Sequence, residues 1–337
     1  MIEDLIKKYD PSLIHQIYDS WPEIAKESYE SRADFIDFKG IDSIVFAGMG
    51  GSGTLGDVFS SLLSKINLHV YVVKGYVLPS TVDENTLVVA TSVSGETMET
   101  LSILESAKKL PCKIIAFSSG GRLQEYCSKN GIEYRFIEKL HSPRTSFARY
   151  LYAMLKILQP AIPIEKHDIN ESLAELRNLK KSISSSNLTN TNISMNLAES
   201  ISGIPVIYYP AGLRAAAIRF KNSLNENAKC HAMVEDVIES GHNNIVSWER
   251  SSNVNPILLE GHDDHIHTKE RWQIMKDYFA KNGIDYQEVR SPAGSILTKL
   301  ISMIYMLDYS SIYLALLSKI DPSPTKSIDF IKERLEL

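Results

Sequence analysis

FAGMGGSGTLGD, residues 46–57, is the stretch on which the fold turns. Its glycines at 48, 50 and 53 fit the G-x-G-x-x-G spacing of a dinucleotide-binding loop. That fold also needs an acidic residue about 20 residues on, at the end of the second strand, to hold the ribose hydroxyls. Here the second apolar run reads HVYVVKGYVLPS (69–80), with Lys74 and no carboxylate. An NADP site stays open on this spacing. A nucleoside-triphosphate loop does not, because Thr54 stands after Gly53 where a lysine is required. A tight strand-to-helix turn explains Gly50 and Gly53 but not the whole run of small residues.

The loop TSVSGETMET (91–100) supplies the missing chemistry. It follows an apolar run, opens a helical pattern, and presents Ser92, Ser94 and Thr97 within six residues. Hydroxyls and unpaired N–H groups at a helix N-terminus favour an anion. Three hydroxyl donors without a lysine suit a phosphate monoester better than a triphosphate with its metal. Ser94 or Thr97 acting as a simple helix cap is the plainer alternative. With Gly51 and Ser52 on the loop of a neighbouring strand, the phosphate reading is the stronger.

Around these loops the chain alternates apolar runs and helical patterns. SIVFAG (43–48), HVYVVKG (69–75), TLVVATS (86–92), KIIAFSS (113–119) and IEYRFIE (132–138) read as strands buried on both faces. TMETLSILESAKKL (97–110) and RLQEYCSKNG (122–131) read as helices, and SFARYLYAMLKILQPAIP (146–163) as a long helix ended by proline. Strands alternating with helices imply a parallel sheet and an α/β fold. Residues 164–200 are polar, and SISSSNLTNTNISMN (182–196) is rich in Ser and Asn, which predicts a bridging helix with a loose polar turn. The α/β rhythm resumes at GIPVIYYPAG (203–212), NPILLEG (255–261) and IDYQEVRS (284–291), with a helix over 267–283. Two similar α/β domains, 1–160 and 161–337, are therefore expected.

The bulk numbers agree with an ordinary globular chain. Of 337 residues 44% are hydrophobic and 23% charged, enough for two good cores. The net charge of −5 comes with dispersed Lys and Arg, which disfavours a nucleic-acid partner. Three cysteines without metal-ligand spacing read as reduced thiols of a cytoplasmic protein. No secretory signal is expected at MIEDLIKKYDPS. The apolar stretch 295–319 is interrupted by Lys299 and Asp308, so it reads as a buried helix and no membrane partner is expected.

GMGGSG, SVSGET, SSGGRL (118–123) and SPRTSF (142–147), in this order, resemble the bifunctional phosphoglucose/phosphomannose isomerase family. The resemblance extends through RFKNSLNENAKCHA (219–232), SGHNN (240–244) and SPTKSIDFIKERL (323–335), nearly the whole chain. It implies two sugar isomerase (SIS) domains, each a mainly parallel sheet flanked by helices. It implies a homodimer, no metal and no cofactor, and a sugar 6-phosphate as substrate. The glycines of the opening loop then belong to a sugar-phosphate cradle, with Gly51, Ser52, Ser92, Ser94 and Thr97 as substrate-binding residues.

Interconverting an aldose and a ketose 6-phosphate means opening the ring and moving a proton between C2 and C1 through an enediolate. That chemistry needs a carboxylate base, a cation at the developing oxyanion and acid/base groups for the ring. By the resemblance Glu226 is the base and Arg144 the cation, with Pro143 stiffening its presentation. His242 handles the ring oxygen and is supplied across the dimer interface. The family pattern His-Asn-acid is broken here by Asn244, which removes a possible orienting carboxylate. Thr325 and Lys332, seven residues apart, fall on nearly the same helical face. The resemblance gives Lys332 to ring opening and Thr325 to a place beside C2, where conventional phosphoglucose isomerases have a longer glutamine.

GHDDHIHTKE (261–270) puts His262, His265 and His267 beside two aspartates, residue types that build zinc sites. Their irregular spacing suits a polar strand-to-helix loop better, and the resemblance assigns them no role. Two rival functions share the phosphate loops: a sugar-phosphate-binding regulator, and an isomerase of another sugar phosphate, including an amino-sugar phosphate.

Overall fold

Three short helices, α1 (Ile2–Tyr9), α2 (Ile14–Asp19) and α3 (Trp21–Glu30), precede the first strand in the computed structural model of the protein, which describes residues 2–32, 35, 36 and 38–335. The expected alternation then follows as β1 (Ser43–Ala47), α4 (Gly50–Leu62), β2 (His69–Val73), β3 (Thr86–Ser92), α5 (Met98–Ala107), β4 (Lys113–Ser118), α6 (Gly121–Asn130), β5 (Glu133–Phe136) and α7 (Phe147–Ile157). The five strands pair in parallel in the order β2-β1-β3-β4-β5.

Burial follows position in the sheet. Every residue of central β3 is buried, and β1 and β4 nearly so, because helices cover both faces of a parallel sheet. The expectation of full burial fails for β2 and β5, which are edges and leave their outer residues part-exposed. Apolar cores form on Val45, Val88 and Ile103 and on Ala90, Leu104 and Leu123, where α5 and α6 lie against the strands. The long helix expected over 146–163 ends at Ile157, before Pro160.

The polar segment resolves into α8 (Lys166–Ile183), a turn, and α9 (Ile193–Ser200), whose N-cap Asn192 accepts from Met195 N–H at 2.9 Å. A second sheet follows: β6 (Ile204–Tyr209), α10 (Arg214–Asn227), β7 (Met233–Asp236), α11 (Val237–Ser240), β8 (Val254–Glu260), α12 (Ile266–Lys281) and β9 (Gln287–Arg290), then α13 (Ile296–Leu317) and α14 (Lys326–Leu335). Its four strands are parallel in the order β7-β6-β8-β9. β7 escapes the sequence reading because MVED is four residues long and half acidic. Its core gathers Val206, Tyr208, Leu258, Trp272, Met275 and Phe279.

By packing, one unit comprises 20–177 and 293–301 and holds the five-stranded sheet; the other comprises 1–19, 178–292 and 302–337 and holds the four-stranded one. The breaks fall at 19/20, inside α8 at 177/178, just before α13 at 292/293 and inside α13 at 301/302, where a single boundary at 160/161 was expected. The first 19 residues join the second unit: Tyr18 hydroxyl reaches Asp308 at 3.4 Å, and Asp19 accepts from Tyr309 hydroxyl at 2.7 Å. α13 has the length and mean hydropathy (1.6) of a membrane span, but 94% of its most apolar window is buried inside the protein.

Candidate active site

In the first unit the chain leaves β1 toward β2 on one side and returns to β3 on the other, so the C-terminal ends of β1 and β3 flank a topological switch point, where open α/β sheets bind ligands. The two loops singled out in the sequence emerge there. Val93 N–H donates to Ser52 Oγ at 3.3 Å, joining them. The glycines serve this approach. A Cβ on Gly48 would stand 2.8 Å from the Thr91 carbonyl and 2.9 Å from Ser52 Cβ. One on Gly53 would meet the stem of Lys74, whose ammonium pairs with Asp57 at 2.5 Å.

Neither helix that starts here is capped by a side chain. Met49 before α4 and Thr97 before α5 are both extended, and neither makes a cap hydrogen bond. Thr97 Oγ1 instead lies 2.8 Å from Ser92 Oγ, which also accepts from Gly95 N–H at 3.1 Å. Two hydroxyls sharing one hydrogen leave the other free to donate, and Ser52, an acceptor from Val93, keeps its own. Ser94 is half-exposed and accepts from Glu96 N–H at 3.3 Å; Gly51 sits in the first turn of α4. Hydroxyl donors and uncapped helix N-termini side by side can hold a dianionic phosphate.

A third loop, SSGGRL, locks the second. Ser119 hydroxyl donates to the Val93 carbonyl at 2.7 Å, Leu123 N–H to the Gly95 carbonyl at 2.9 Å, and Arg122 N–H to Glu96 Oε1 at 3.2 Å. Gly95 has φ +76°, and a Cβ there would lie 1.9 Å from the Gly120 carbonyl oxygen. The sequence shows these residues as motifs; their mutual contact is a product of folding.

Arg144 lies in the turn before α7 of the same unit. Its side chain is buried, not the solvated arginine that the residue type alone suggests. The turn is knitted around it: Ser142 N–H donates to Thr145 Oγ1 at 3.0 Å, Ser146 hydroxyl to the Ser142 carbonyl at 2.8 Å, and Trp21 Nε1 to the Thr145 carbonyl at 3.2 Å.

In the second unit Glu226, in the last turn of α10, and Thr325, just before α14, line one cleft of about 550 Å³ with Lys229, Cys230, His231 and Ser327. The sequence reading named the first two; the other cleft residues in NENAKCHA follow Glu226 directly. Lys229 ammonium donates to the Glu226 carbonyl at 2.6 Å and bends the chain back at φ +54°. Burial pushes the Cys230 thiol above its ordinary range. The Thr325 carbonyl accepts from Ile328 N–H at 2.8 Å, starting α14, while Lys332 stands exposed near its end.

His242 is exposed on the turn after α11, its N–H donating to the Glu239 carbonyl at 2.9 Å. Asn244 is committed elsewhere. Tyr208 hydroxyl donates to Asn244 Oδ1 at 2.5 Å and accepts from Trp248 Nε1 at 2.8 Å, and burial pushes the Tyr208 phenol up to about 12. The histidines of 261–270 go separate ways: His262 to Asp263 at 2.6 Å, His267 to Glu270 at 2.8 Å, and His265 Nδ1 accepting from His267 N–H at 3.2 Å. Among the described residues no group of three His, Cys, Asp or Glu could hold a metal ion.

Residues 38–129, which carry β1 to β4 of the first sheet, match the SIS domain family, and residues 190–335, the second sheet through α14, match the bacterial phospho-glucose isomerase C-terminal SIS domain. A solved structure of a hypothetical protein from Thermus thermophilus shares the fold with a TM-score of 0.76 at 14% identity, over 99% of this chain and 92% of that one. A relative from Sulfolobus acidocaldarius named D-glucosamine-6-phosphate 4-epimerase is 27% identical over 321 residues, 94% of this chain and 96% of that protein. The bifunctional phosphoglucose/phosphomannose isomerase of Caldicellulosiruptor bescii is 32% identical over 326 residues, 93% of this chain and 96% of that protein. With that identity carried across both sheets and the motifs in the same order, the chain belongs to the bifunctional phosphoglucose/phosphomannose isomerase family.

Proposed function

We propose that this protein is an aldose–ketose isomerase that interconverts glucose 6-phosphate and mannose 6-phosphate with fructose 6-phosphate. The observation that carries the reading is the 32% identity, spanning 93% of the chain, to a relative bearing that double activity in its name. The hydroxyl-lined switch point, which offers donors to a phosphate monoester, supports it.

In this reading the substrate phosphate rests on the first turns of α4 and α5, held by Gly51, Ser52, Ser92, Ser94 and Thr97. His242 and Lys332 move protons as the ring opens. Glu226 removes the C2 proton, the electron pair forms the C1–C2 enediolate, and Arg144 stabilises the charge on its oxygen. Return of the proton to C1, with transfer of the O2 hydroxyl proton to O1, gives the ketose. Return to either face of C2 gives glucose or mannose configuration, and Thr325 leaves space there for the enediolate to turn. The chain's own residues supply every group this requires, without metal or cofactor. The protein acts as a cytoplasmic homodimer in which His242 of the partner subunit completes the site.

The test is a coupled assay started with fructose 6-phosphate that follows glucose 6-phosphate and mannose 6-phosphate separately; both should form. The epimerase relative favours one other substrate class, so glucosamine 6-phosphate is assayed alongside. Turnover of the amino sugar with neither hexose product would overturn the reading in favour of that class.

A further inference from the structure

We infer that Arg219 and Asp308, a buried ion pair of the second unit, are positioning residues for Glu226; the inference rests on the reading of Glu226 as the base. Arg219 is 2% exposed and Asp308 fully buried. Arg219 Nε and Nη2 donate to Asp308 Oδ2 at 3.1 and 2.7 Å, and Ser223 hydroxyl donates to Oδ1 at 2.6 Å. Tyr18 hydroxyl adds a fourth donor at 3.4 Å. Arg219, Ser223 and Glu226 stand four and three residues apart on α10, which brings them to one side of the helix. The charges of Arg219 and Glu226 act on each other.

Such a pair is a poor device for stability. Desolvating two charges costs about what their attraction returns, and apolar residues of the same volume often do as well or better. What the pair provides is direction, because a guanidinium fork on a carboxylate admits one geometry. The apolar part of the buried side of α10, Ala215, Ala216 and Ala217 with Phe220 and Leu224, packs without directional bonds. Asp308 grips α10 by Arg219 and Ser223, and one turn further on Asn227 Nδ2 donates to Ser311 Oγ of α13 at 2.8 Å. Glu226 sits between these two grips, so the azimuth of α10 sets where its carboxylate enters the cleft. An ångström of misplacement at a reacting group can cost about a hundredfold in rate.

Two variants test this, each measured for melting temperature, kcat, KM and exchange of the substrate C2 hydrogen with deuterated water. Arg219→Lys keeps the charge and loses the fork. Arg219→Met with Asp308→Leu replaces the pair by apolar groups. Both are expected to fold with KM within about twofold of the unaltered enzyme, while kcat and exchange fall together by about 10- to 100-fold. Exchange and kcat within about twofold of unaltered values in a folded variant overturn the inference, and so does failure of both to fold, which assigns the pair to stability alone. Glu226→Gln is measured in parallel. If it loses exchange while the pair variants keep it, the base assignment stands and the positioning role falls; if it keeps exchange, the base assignment fails and takes the positioning role with it.

Discussion

Thr97 occupies the residue position of a helix cap and does not cap. Its hydroxyl turns to Ser92, 2.8 Å away, and the first turn of α5 keeps its N–H groups open. A capping threonine contributes about 1 kcal/mol to a helix, and here the hydroxyl is diverted from that bond to Ser92. Thr325 carries the corresponding question for specificity. It opens α14 through its carbonyl, and its side chain faces the cleft that also holds Glu226. Both C2 epimers pass through one enediolate, and a single base serves both only if the enediolate can turn about its C2–C3 bond. In the proposed mechanism Thr325→Gln adds two heavy atoms beside the turning enediolate. It should depress mannose 6-phosphate formation from fructose 6-phosphate by about 10- to 200-fold relative to glucose 6-phosphate, equivalent to about 1–3 kcal/mol between the two barriers. Equal loss in both arms would leave Thr325 with a helix-starting role only.

At the scale of the element, the loop between β3 and α5 is held by its neighbour. The α6 loop bonds to the α5 loop through Ser119, Arg122 and Leu123, and the Gly120 carbonyl approaches Gly95 so closely that no side chain fits at Gly95. Gly95→Ala must then push the α6 loop away as well as strain a backbone at φ +76°. It should cost about 1–3 kcal/mol in urea unfolding and raise KM for fructose 6-phosphate. Gly131→Ala is the control: its φ is +61° but nothing stands within 4 Å, so it should lower stability and leave KM alone. A rise in KM in both variants, or in neither, would break the link between the loop contact and phosphate binding. The central strands and their helices were legible because period and burial coincide there. The edge β7 was not, because a short acidic strand has no such signal.

At the scale of the whole molecule, the chain's first 19 residues pack with most of its second half. Asp10 ties together the turn between α1 and α2 within that segment. Its buried carboxylate accepts from Ile14 N–H and His15 N–H, both at 2.9 Å, and lies 2.6 Å from His15 Nδ1. Burial raises its pKa, but the hydrogen bonds from His15 and Ile14 outweigh that and hold it below the ordinary 3.8. A carboxyl depressed in the folded state contributes stability above its unfolded pKa and loses it as pH falls through the lower folded value. Asp10→Asn should therefore cost about 1–3 kcal/mol near neutral pH. The deficit should shrink once the pH drops below about 4. Urea unfolding across that range measures it; a deficit independent of pH would mean that Asp10 acts through packing alone.

What the sequence by itself determined is the part of this protein that local chemistry encodes. Alternating strand and helix patterns specified two parallel-sheet domains, and small residues followed by hydroxyls specified loops suited to a phosphate. Spacing put Thr325 and Lys332 two turns apart on nearly the same face of one helix. Only the tertiary structure decided the rest. Arg144 is buried, Asn244 accepts the hydroxyl of Tyr208, 36 residues away, and Arg219 meets Asp308, 89 residues on. None of these has a local signature, because a side chain's partner across a core depends on how distant elements pack, and packing is selected by the whole chain at once. The same reason places the first 19 residues with the second sheet: a helix with one apolar face states that it must be buried, but not against what.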